Sequence, residues 1–331
     1  MNGLIFDVSR GCVDDGPGYR TVVFLKGCAL DCPWCHNPEG KSFQPEIAFD
    51  PAKCLSCGAC QAACPRQRAH DLRPPTHDMG LGPRDSKPPA PGYGLRTPDS
   101  VVSRRSSGVS HQWRLGCTAC GKCAVACPSG ARRLAGEEYT VGALVDEVTA
   151  DLPFFSGTGG GVTFSGGEPM ARPDFVFECA KMLRARGIHV AVETAGFWPV
   201  QLVRKLVDGV DLILFDIKHV DARAFRKATG KDVSPVLKNL ETTLASDLPV
   251  ELRLTLIPGF NDSAADLKAI AKFLKCMPRM PPVTLQPFHR LAVSKQAIFD
   301  CAYPYAGARP VTRKELGTAR RTLAREGIKT A

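Results

Sequence analysis

Three cysteines in one short stretch carry the clearest chemistry in this sequence. Cys28, Cys32 and Cys35 fall within eight residues. Three thiolates at this spacing can hold three irons of a 4Fe–4S cube and leave the fourth iron without a protein ligand, whereas an electron carrier gives each cube four cysteines. An open iron is a place to bind and activate another molecule. For such a stretch taken alone, a zinc site is the alternative.

Two further cysteine runs favour iron. They read Cys54-x2-Cys57-x2-Cys60-x3-Cys64-Pro65 and Cys117-x2-Cys120-x2-Cys123-x3-Cys127-Pro128. Each is the bacterial ferredoxin pattern, and in two-cluster ferredoxins the fourth cysteine of each run ligates the other cluster. A zinc knuckle is the alternative for one run, but two complete runs favour two 4Fe–4S clusters. The predicted ligands are Cys54, Cys57, Cys60 and Cys127 for one cube, and Cys117, Cys120, Cys123 and Cys64 for the second.

The use of cysteine also indicates a compartment. Eleven of the fifteen cysteines fall in these three groups, which implies a reducing environment rather than disulfides. The other four, Cys12, Cys179, Cys276 and Cys301, have no metal-ligand spacing and are expected to be ordinary thiols. The amino terminus has no signal-peptide pattern, and no apolar stretch approaches the roughly 18 residues of a membrane span. Oxygen-sensitive clusters then favour an anaerobic cytoplasm.

Positive charge is concentrated in one segment. The chain carries a net charge of +10, and residues 66–116 contain eight Arg and one Lys against four Asp. This segment is rich in proline and glycine, so we expect a solvated, largely disordered linker. A nucleic-acid-binding arm is the alternative, but the location of the charge argues against nucleic acid as a partner.

The elements that position these residues alternate between strands and helices. The predicted strands are 21–26, 161–164, 188–192, 212–215, 250–257 and 283–287. Helices are predicted after Thr140 (with apolar positions through Leu152), from Pro173 to Gly187, over 200–207, after Ser263, and after the capping box Thr312–Glu315. Such alternation predicts a parallel sheet with right-handed crossovers.

Polar motifs follow the predicted strands at the end where parallel α/β barrels carry their chemistry. The motifs are the cysteine stretch, Ser165-Gly166-Gly167-Glu168-Pro169, Glu193-Thr194, Asp216-Ile217-Lys218, Ile257-Pro258-Gly259 and Gln286-Pro287-Phe288-His289. A Gly-Gly pair alone is a generic turn. Six motifs at one rim predict one site.

These motifs resemble those of the radical S-adenosylmethionine (SAM) enzymes that activate glycyl radical enzymes. The matching residues are Asp15-Gly16-Pro17-Gly18-Tyr19-Arg20-Thr21, the three cysteines, Gly166-Gly167-Glu168-Pro169, Asp216-Ile217-Lys218, Arg253 through Gly259, and His289. The resemblance implies an α/β fold, a partial (β/α)6 radical SAM barrel with an inserted ferredoxin-like domain that carries two 4Fe–4S clusters. The implied domains are 1–50 and 134–331 for the barrel and 51–133 for the insert.

The resemblance also implies roles for the site residues. Catalytic residues are Cys28, Cys32, Cys35 and Lys218, and SAM-binding residues are Trp34, Gly166, Gly167, Glu168, Glu193, Asp216, Lys218, Arg253 and His289. Glu168 is expected to bind the SAM ammonium group, with a surface carboxylate as the alternative. Arg253 and Lys218 pair either with the SAM carboxylate or the incoming protein, or with Glu193 and Asp216. His289 contacts SAM or is a core histidine, and Trp34 touches adenine or simply packs.

The implied reaction is reductive cleavage of SAM to methionine and a 5′-deoxyadenosyl radical, which takes a hydrogen atom from a glycine of a partner enzyme. The implied cofactors are three 4Fe–4S clusters and SAM. The implied partners are a glycyl radical enzyme and a low-potential donor such as flavodoxin or ferredoxin, with the chain a monomer. The alternatives are a radical SAM enzyme for a small molecule or another peptide, and a non-catalytic electron carrier.

Overall fold

The computed structural model describes residues 1–66, 116–299 and 301–331. Apart from its two end residues, the predicted linker 66–116 therefore lies outside the described residues. All fifteen cysteines are described, and none of them forms a disulfide.

One mixed sheet dominates the described part of the chain. Its strands are β1 (Asn2–Cys12), β2 (Arg20–Leu25), β5 (Glu137–Thr140), β6 (Gly161–Gly166), β7 (His189–Thr194), β8 (Leu212–Asp216), β9 (Val250–Leu256) and β10 (Val283–Pro287), while β3 (Glu46–Phe49) and β4 (Arg132–Ala135) form a separate antiparallel pair. The strand order in the sheet is β10-β9-β8-β7-β6-β2-β1-β5. Strand β2 and the five from β6 to β10 run parallel to one another, which confirms the six predicted strands.

The remaining strands of the sheet were not predicted. β1 pairs antiparallel with β2 and with β5, and so extends the sheet beyond the parallel part. The sequence of β1 lacks the regular alternation of apolar and polar residues that indicates a half-buried strand. Its pairing comes from the neighbouring strands rather than from its own pattern.

The described residues also form eleven α-helices. They are α1 (Ala59–Ala62), α2 (Lys122–Val125), α3 (Val141–Thr149), α4 (Leu152–Thr158), α5 (Pro173–Arg184), α6 (Leu202–Gly209), α7 (Ala222–Thr229), α8 (Ser234–Leu244), α9 (Ala264–Lys275), α10 (Ala292–Ile298) and α11 (Arg313–Arg325). The predicted caps are confirmed: Thr140 and Ser263 each accept a backbone N–H, and Thr312 with Glu315 forms a capping box. The helix predicted through Leu152 is wrong in length, because Pro153 cannot continue α3 and instead lies in the first turn of α4.

The antiparallel pair β3–β4 packs against a different apolar cluster on each of its two faces. Ile47 and Leu134 pack with Cys123, whereas Ala48 and Ala135 pack with Phe299 in a second apolar cluster. One face of this ribbon therefore meets a ferredoxin-type cysteine run, and the other meets the chain that follows α10. In the described residues, no helix combines the length and apolar character needed to cross a membrane.

Candidate active site

The three-cysteine loop leaves the carboxyl end of β2. Cys32 is buried, and Cys28 and Cys35 are half-buried. The amide of Cys35 donates to the Cys32 carbonyl at 3.1 Å, and the amide of Cys28 donates to the Lys41 carbonyl at 3.2 Å. From α10, the side-chain amide of Gln296 donates to the Cys35 carbonyl at 2.7 Å. The loop is thus fixed both by its own backbone and by a helix far away in the sequence.

Burial raises the pKa of all three thiols, to about 12 for Cys28 and about 11 for Cys32. Nearby charges act second: Glu168 raises the pKa of Cys28 further, and Lys218 lowers that of Cys32. Thiols with such pKa values hold their protons at neutral pH unless a metal displaces them. Cluster assembly on this loop must therefore release protons.

The donor set fits a multi-iron cluster better than a single ion. Among the residues described, no group of three or more His, Cys, Asp or Glu side chains converges closely enough to hold one metal ion. In a cube each thiolate binds a different iron, so the ligands stand farther apart than those of one ion. The three cysteines line one cavity of about 560 Å³, a volume typical of small-molecule sites.

Two glycines allow the end of β6 to approach this loop. Gly166 has a φ of +110°, and a Cβ atom on Gly167 would lie 2.4 Å from the carbonyl oxygen of Gly40 and 2.6 Å from that of Gly27. The amide of Gly167 donates to the Leu25 carbonyl at 2.7 Å. Backbone packing alone therefore requires glycine here, and both glycines also line the cavity.

Glu168 is not among the residues that line the cavity of the three cysteines. Its carboxylate accepts hydrogen bonds from Thr194 Oγ1 at 2.7 Å, the Ala195 amide at 3.1 Å and the Met170 amide at 3.2 Å. Burial raises its pKa to about 7, although these hydrogen bonds act in the opposite direction. It borders a separate, apolar cavity of about 430 Å³. Its contact with the SAM ammonium group stays a prediction.

All other predicted residues of the active site line the large cavity. They are Cys28, Cys32, Trp34, Cys35, Gly166, Gly167, Glu193, Asp216, Lys218, Arg253 and His289. Polar residues to which the sequence analysis gave no individual role join them: Asp14, Asp15, His36, Asn37, Lys41, Ser165, Thr194, Thr255 and Gln286. The signal for Thr255 was present, because it shares a face of β9 with Arg253 at a spacing of two.

Asp216 and Lys218 form an ion pair inside this cavity. Lys218 Nζ donates to Asp216 Oδ2, whereas the second oxygen, Oδ1, is buried without a partner among the described residues. Burial acts to lower the pKa of Lys218, but Asp216 and then the Cys32 thiol outweigh it, and the net shift is upward. The cavity thus offers an ammonium group beside a free carboxylate oxygen, a match for the two charged ends of an amino acid.

Arg253 anchors a second ion pair deeper in the sheet. Arg253 is 3% exposed, and its guanidinium donates to Glu193 Oε1 at 2.8 Å and to the Asp14 carbonyl oxygen. Asp15 Oδ1 lies 3.6 Å away, and the other oxygen of Glu193 accepts from Ser165 Oγ at 2.5 Å. The two protein ion pairs that were the alternative to SAM contacts, Arg253–Glu193 and Lys218–Asp216, are therefore both present.

Aromatic side chains line another side of the cavity. His289, after β10, stacks on His36 with ring centroids 4.2 Å apart. Burial, followed by the charge on His289, lowers the pKa of His36 to about 4, and burial lowers the pKa of His289. Trp34 is buried against Phe260 at 4.3 Å, so its packing role is observed while the adenine contact stays a prediction.

The two ferredoxin-type runs are local copies of each other. Two residues after the first cysteine, Ser56 and Ala119 have φ values of 54° and 51°, and their amides lie 3.4 and 3.3 Å from that cysteine's sulfur. Gly58 and Gly121, both with φ of 75°, then start α1 and α2. The same residue types at the same spacing produce the same turn twice.

Cys64 lies with the second run rather than with its own. It lines a small cavity together with Cys117, Cys120 and Cys123. Burial raises the pKa of Cys123, Arg132 opposes that shift, and the thiols of Cys117, Cys64 and Cys120 add to it. This grouping is the one that crossed ligation requires.

Family models match two stretches of the chain. Residues 114–274 match the model described as the radical SAM superfamily, and residues 14–65 match a 4Fe–4S single cluster domain. The second match includes the three-cysteine loop and the first ferredoxin-type run.

Characterised activating enzymes match nearly the whole chain. The benzylsuccinate synthase activating enzyme of Thauera aromatica is 34% identical over 98% of this chain and 91% of its own length. The isethionate sulfite-lyase activating enzyme of Desulfovibrio desulfuricans is 35% identical over 89% of this chain and 86% of its own. The trans-4-hydroxy-L-proline dehydratase activating enzyme of Clostridioides difficile is 31% identical over 89% and 87%.

Proposed function

This chain belongs to the radical SAM enzymes that activate glycyl radical enzymes, and from that premise we propose how its own residues perform the activation. When bound, the cluster supplies the electron that cleaves SAM, and the resulting radical takes a hydrogen atom from a glycine of the partner. The observation that carries the proposal is that three cysteines, a Gly-Gly turn and the Asp216–Lys218 pair line one cavity.

Cys28, Cys32 and Cys35 hold the active cluster, and the Gly166-Gly167 turn fixes their loop against β6. Lys218 Nζ binds the SAM carboxylate, and Asp216 Oδ1 accepts from the SAM ammonium group. The support is the charge of Lys218 and the absence of any partner for Asp216 Oδ1 among the described residues. The Arg253–Glu193 ion pair lines the same cavity and makes its wall polar. The half-buried cysteine loop excludes water from the reacting atoms.

We propose that the parallel strands curve into a partial (β/α)6 barrel. In a flat sheet β2 and β10 would lie about 24 Å apart, since neighbouring strands are about 4.8 Å apart. Instead His36 after β2 stacks on His289 after β10. Asp15 before β2 also reaches Arg253 on β9 at 3.6 Å. Both contacts favour a curved sheet.

The insert is proposed as a ferredoxin-like domain that extends from Glu46 to Ala135, slightly beyond the expected 51–133. β3 and β4 pair with each other and not with the large sheet. Crossed ligation by Cys64 and Cys127 gives two cubes here and three in all, and is supported by the grouping of Cys64 with the second run. The barrel then comprises the chain before and after this insert.

The described surface around the two runs favours an acidic electron donor. Residues 51–66 and 116–136 contain five cations and no Asp or Glu: Lys53, Arg66, Lys122, Arg132 and Arg133. Flavodoxin or ferredoxin is the proposed donor class, with electrons passing through the insert to the active cluster. A reducing, anaerobic cytoplasm is the proposed compartment, because eleven cysteines must stay available as thiolates. We also propose a monomer, which sedimentation of the reconstituted protein tests.

The partner is proposed only as a glycyl radical enzyme. Relatives of nearly equal identity are named for a synthase, a sulfite-lyase and a dehydratase, so identity does not select among them.

The test is isotope transfer from glycine. The anaerobically reconstituted protein is mixed with SAM, a reductant and each of these three partner enzymes, produced with α-deuterated glycine. An accepted partner should yield deuterium in 5′-deoxyadenosine and a glycyl radical signal. If SAM is cleaved but no partner transfers deuterium, and a deuterated small molecule does transfer it to 5′-deoxyadenosine, the result would instead support the alternative radical SAM reaction.

A further inference from the structure

The strand pair β3–β4 connects the ferredoxin-type runs with the three-cysteine loop, and one of its ends lies near that loop. At this near end Glu46 pairs with Ala135. Lys26 Nζ donates to Glu46 Oε2 at 3.0 Å and to the Glu39 carbonyl at 2.6 Å. Because Lys26 precedes the loop and Glu39 follows it, the near end of the strand pair is held against both sides of the loop.

One face of the strand pair also contacts a residue that leads to the loop. Ala48 and Ala135 pack with Phe299, at the end of α10. One helical turn earlier, the side chain of Gln296 donates to the Cys35 carbonyl at 2.7 Å. This face is therefore linked to a ligand of the active cluster through one ring and one turn of helix.

The opposite face carries the second ferredoxin-type run. Neighbouring residues of a strand point to opposite faces, and Ile47, next to Ala48, packs with Cys123 and Leu134. Three more cysteines line a small cavity together with Ile47 and Cys123: Cys64, Cys117 and Cys120. The cube that these four cysteines hold would lie against the middle of the strand pair, across a single layer of backbone from the residues that touch Phe299.

Two ligands of the other cube lie past the far end of the strand pair. Beyond the last paired residues, the Asp50 amide still donates to the Ala131 carbonyl at 2.7 Å, so the two chains leave the far end together. Cys54 comes four residues after Asp50, and Cys127 four residues before Ala131. Cys60 packs at the apolar cluster that the second run forms with the strand pair, so the two cubes would be neighbours.

The surface of the first run suits an electron carrier. The first two cysteines of both runs are exposed, so exposure alone does not separate the cubes. Directly after its first cysteine, however, the first run has Leu55, which is 67% exposed, where the second run has Thr118. Lys53 precedes the first run, and residues 51–66 contain no Asp or Glu. An exposed apolar side chain on a basic surface complements an acidic partner.

We propose that the two cubes of the insert work in a fixed order, which is set by their places along β3–β4. The inner cube passes electrons to the active cluster, and its ligands are Cys64, Cys117, Cys120 and Cys123. The outer cube takes electrons from the acidic donor, and its ligands are Cys54, Cys57, Cys60 and Cys127. The inference rests on the proposed function and on crossed ligation. One electron moves at each step: the donor is oxidised, each insert cube is reduced and then reoxidised, and the active cluster is left reduced, with no bond or proton transferred.

The test removes each insert cube in turn from the full-length, reconstituted protein. The matched variants are Cys54→Ser with Cys57→Ser for the outer cube, and Cys117→Ser with Cys120→Ser for the inner cube. Each pair should lose about four of roughly twelve irons. Electron paramagnetic resonance identifies the active cluster by the change of its signal on addition of SAM. Broadening of that signal by a neighbouring reduced cube measures which cube is nearer, because magnetic coupling falls steeply with distance.

Loss of the inner cube should remove most of this broadening, whereas loss of the outer cube should leave it. Broadening that disappears with the outer cube while the inner cube is retained, or that persists without either cube, overturns the order. Reduced flavodoxin then tests the point of entry. It should reduce the inner cube more slowly in the outer-cube variant than in the unmodified protein, while dithionite reduces it equally fast in both. Equal rates with flavodoxin overturn entry through the outer cube.

A second pair of variants keeps the test decisive if a Ser pair empties the whole insert. Cys117→Asp and Cys54→Asp retain an oxygen ligand to the iron and shift the potential of one cube each. In a redox titration, the broadening of the active signal should follow the shifted potential in Cys117→Asp but not in Cys54→Asp, and the reverse result overturns the order. If the unmodified protein shows no signal that responds to SAM, the proposed function itself has failed, and the order of the cubes fails with it.

Discussion

The ferredoxin-type runs and the three-cysteine loop hold their sulfurs in different ways. In the runs, four of the cysteines are exposed, and each turn is built within a few residues by Gly58 or Gly121 and by an amide aimed at the first sulfur. In the loop, Cys32 is buried, as Cys123 is in the second run, but the contacts that fix the loop include some from β6 and α10, far away in the sequence.

This difference separates a motif that builds its own site from one that needs the whole fold. The two runs take the same backbone turn after their first cysteine, so the shared local spacing is sufficient to build that turn. The three-cysteine loop resembles a simple metal-binding motif only in its cysteine spacing. Its chemistry depends on Lys218, Asp216 and Arg253, which lie on or just after β8 and β9. The open iron is useful only inside that assembled cavity.

The largest expected effect comes from removing the sulfurs of one region or the other. Cys28→Ala, Cys32→Ala and Cys35→Ala together should remove one cube, about four of roughly twelve irons, and abolish SAM cleavage. The matched triple change of Cys117, Cys120 and Cys123 should also remove about four irons but keep cleavage driven by a small chemical reductant. Iron analysis and 5′-deoxyadenosine formation measure both. Cleavage retained in the first variant would place the active cluster elsewhere.

The sequence predicted the parts of the molecule that are set locally. The six parallel strands, the caps at Thr140, Ser263 and Thr312, and the eleven predicted residues that line the cavity follow from short patterns. These patterns are reliable because each of them acts on its own neighbours in the chain. The resemblance to the family rests on the same short motifs.

The features that were missed depend on contacts between distant elements. β1 becomes a strand because β2 and β5 pair with it. The motif around Glu168 predicts a SAM ligand, which stays a prediction, but it did not reveal that Thr194 at the end of β7 donates to that carboxylate at 2.7 Å. His36 directly follows Cys35, yet its stacking on His289 requires the two ends of the parallel sheet to come close together. A sequence pattern within one segment does not predict contacts between distant elements.

Asp216→Asn tests whether the cavity depends on residues outside the loop. The change keeps the size of the side chain but removes the charge that we expect to face the SAM ammonium group. Losing a charge-assisted hydrogen bond costs about 1.5–3 kcal/mol, so SAM affinity should fall about tenfold to a hundredfold. Equilibrium binding at constant iron content measures this. Wild-type affinity would show that the ammonium group binds elsewhere.

Gly167→Ala tests the tertiary contact that fixes the loop. The added Cβ would lie 2.4 Å from the Gly40 carbonyl oxygen, so backbone must move. Overpacking of this kind typically costs about 1–3 kcal/mol. We expect a lower denaturation midpoint and selective loss of the active cube, with both insert cubes retained. Equal loss from all three centres would mean that the loop and the runs do not differ in this way.

Glu168→Gln should make the free energy of unfolding less dependent on pH between pH 5.5 and 7.5. The folded pKa of about 7 lies above the ordinary value of 4.5. Between these values the folded protein keeps a proton that the unfolded chain has lost, so the free energy of unfolding falls as pH rises, by at most about 1.4 kcal/mol per unit. Anaerobic denaturant titrations between pH 5.5 and 7.5 measure the slope. Parallel slopes for both proteins would show that Glu168 does not titrate in this window.

The smallest effects should come from Gly58→Ala and Gly121→Ala in the runs. A Cβ on Gly58 would meet only Gln61 Oε1 at 4.0 Å, and one on Gly121 would meet Leu134 Cδ2 at 3.5 Å, so both sites have room. The cost is backbone strain at positive φ, about 1–2 kcal/mol, and replacement by Asn should cost less because Asn tolerates this region. Denaturant midpoints and iron retention should shift by the same amount in the two Ala variants, because the two turns have the same backbone. If one Ala variant loses its cube while the other keeps both, then one run depends on distant contacts as the three-cysteine loop does, and local spacing is not sufficient to build it.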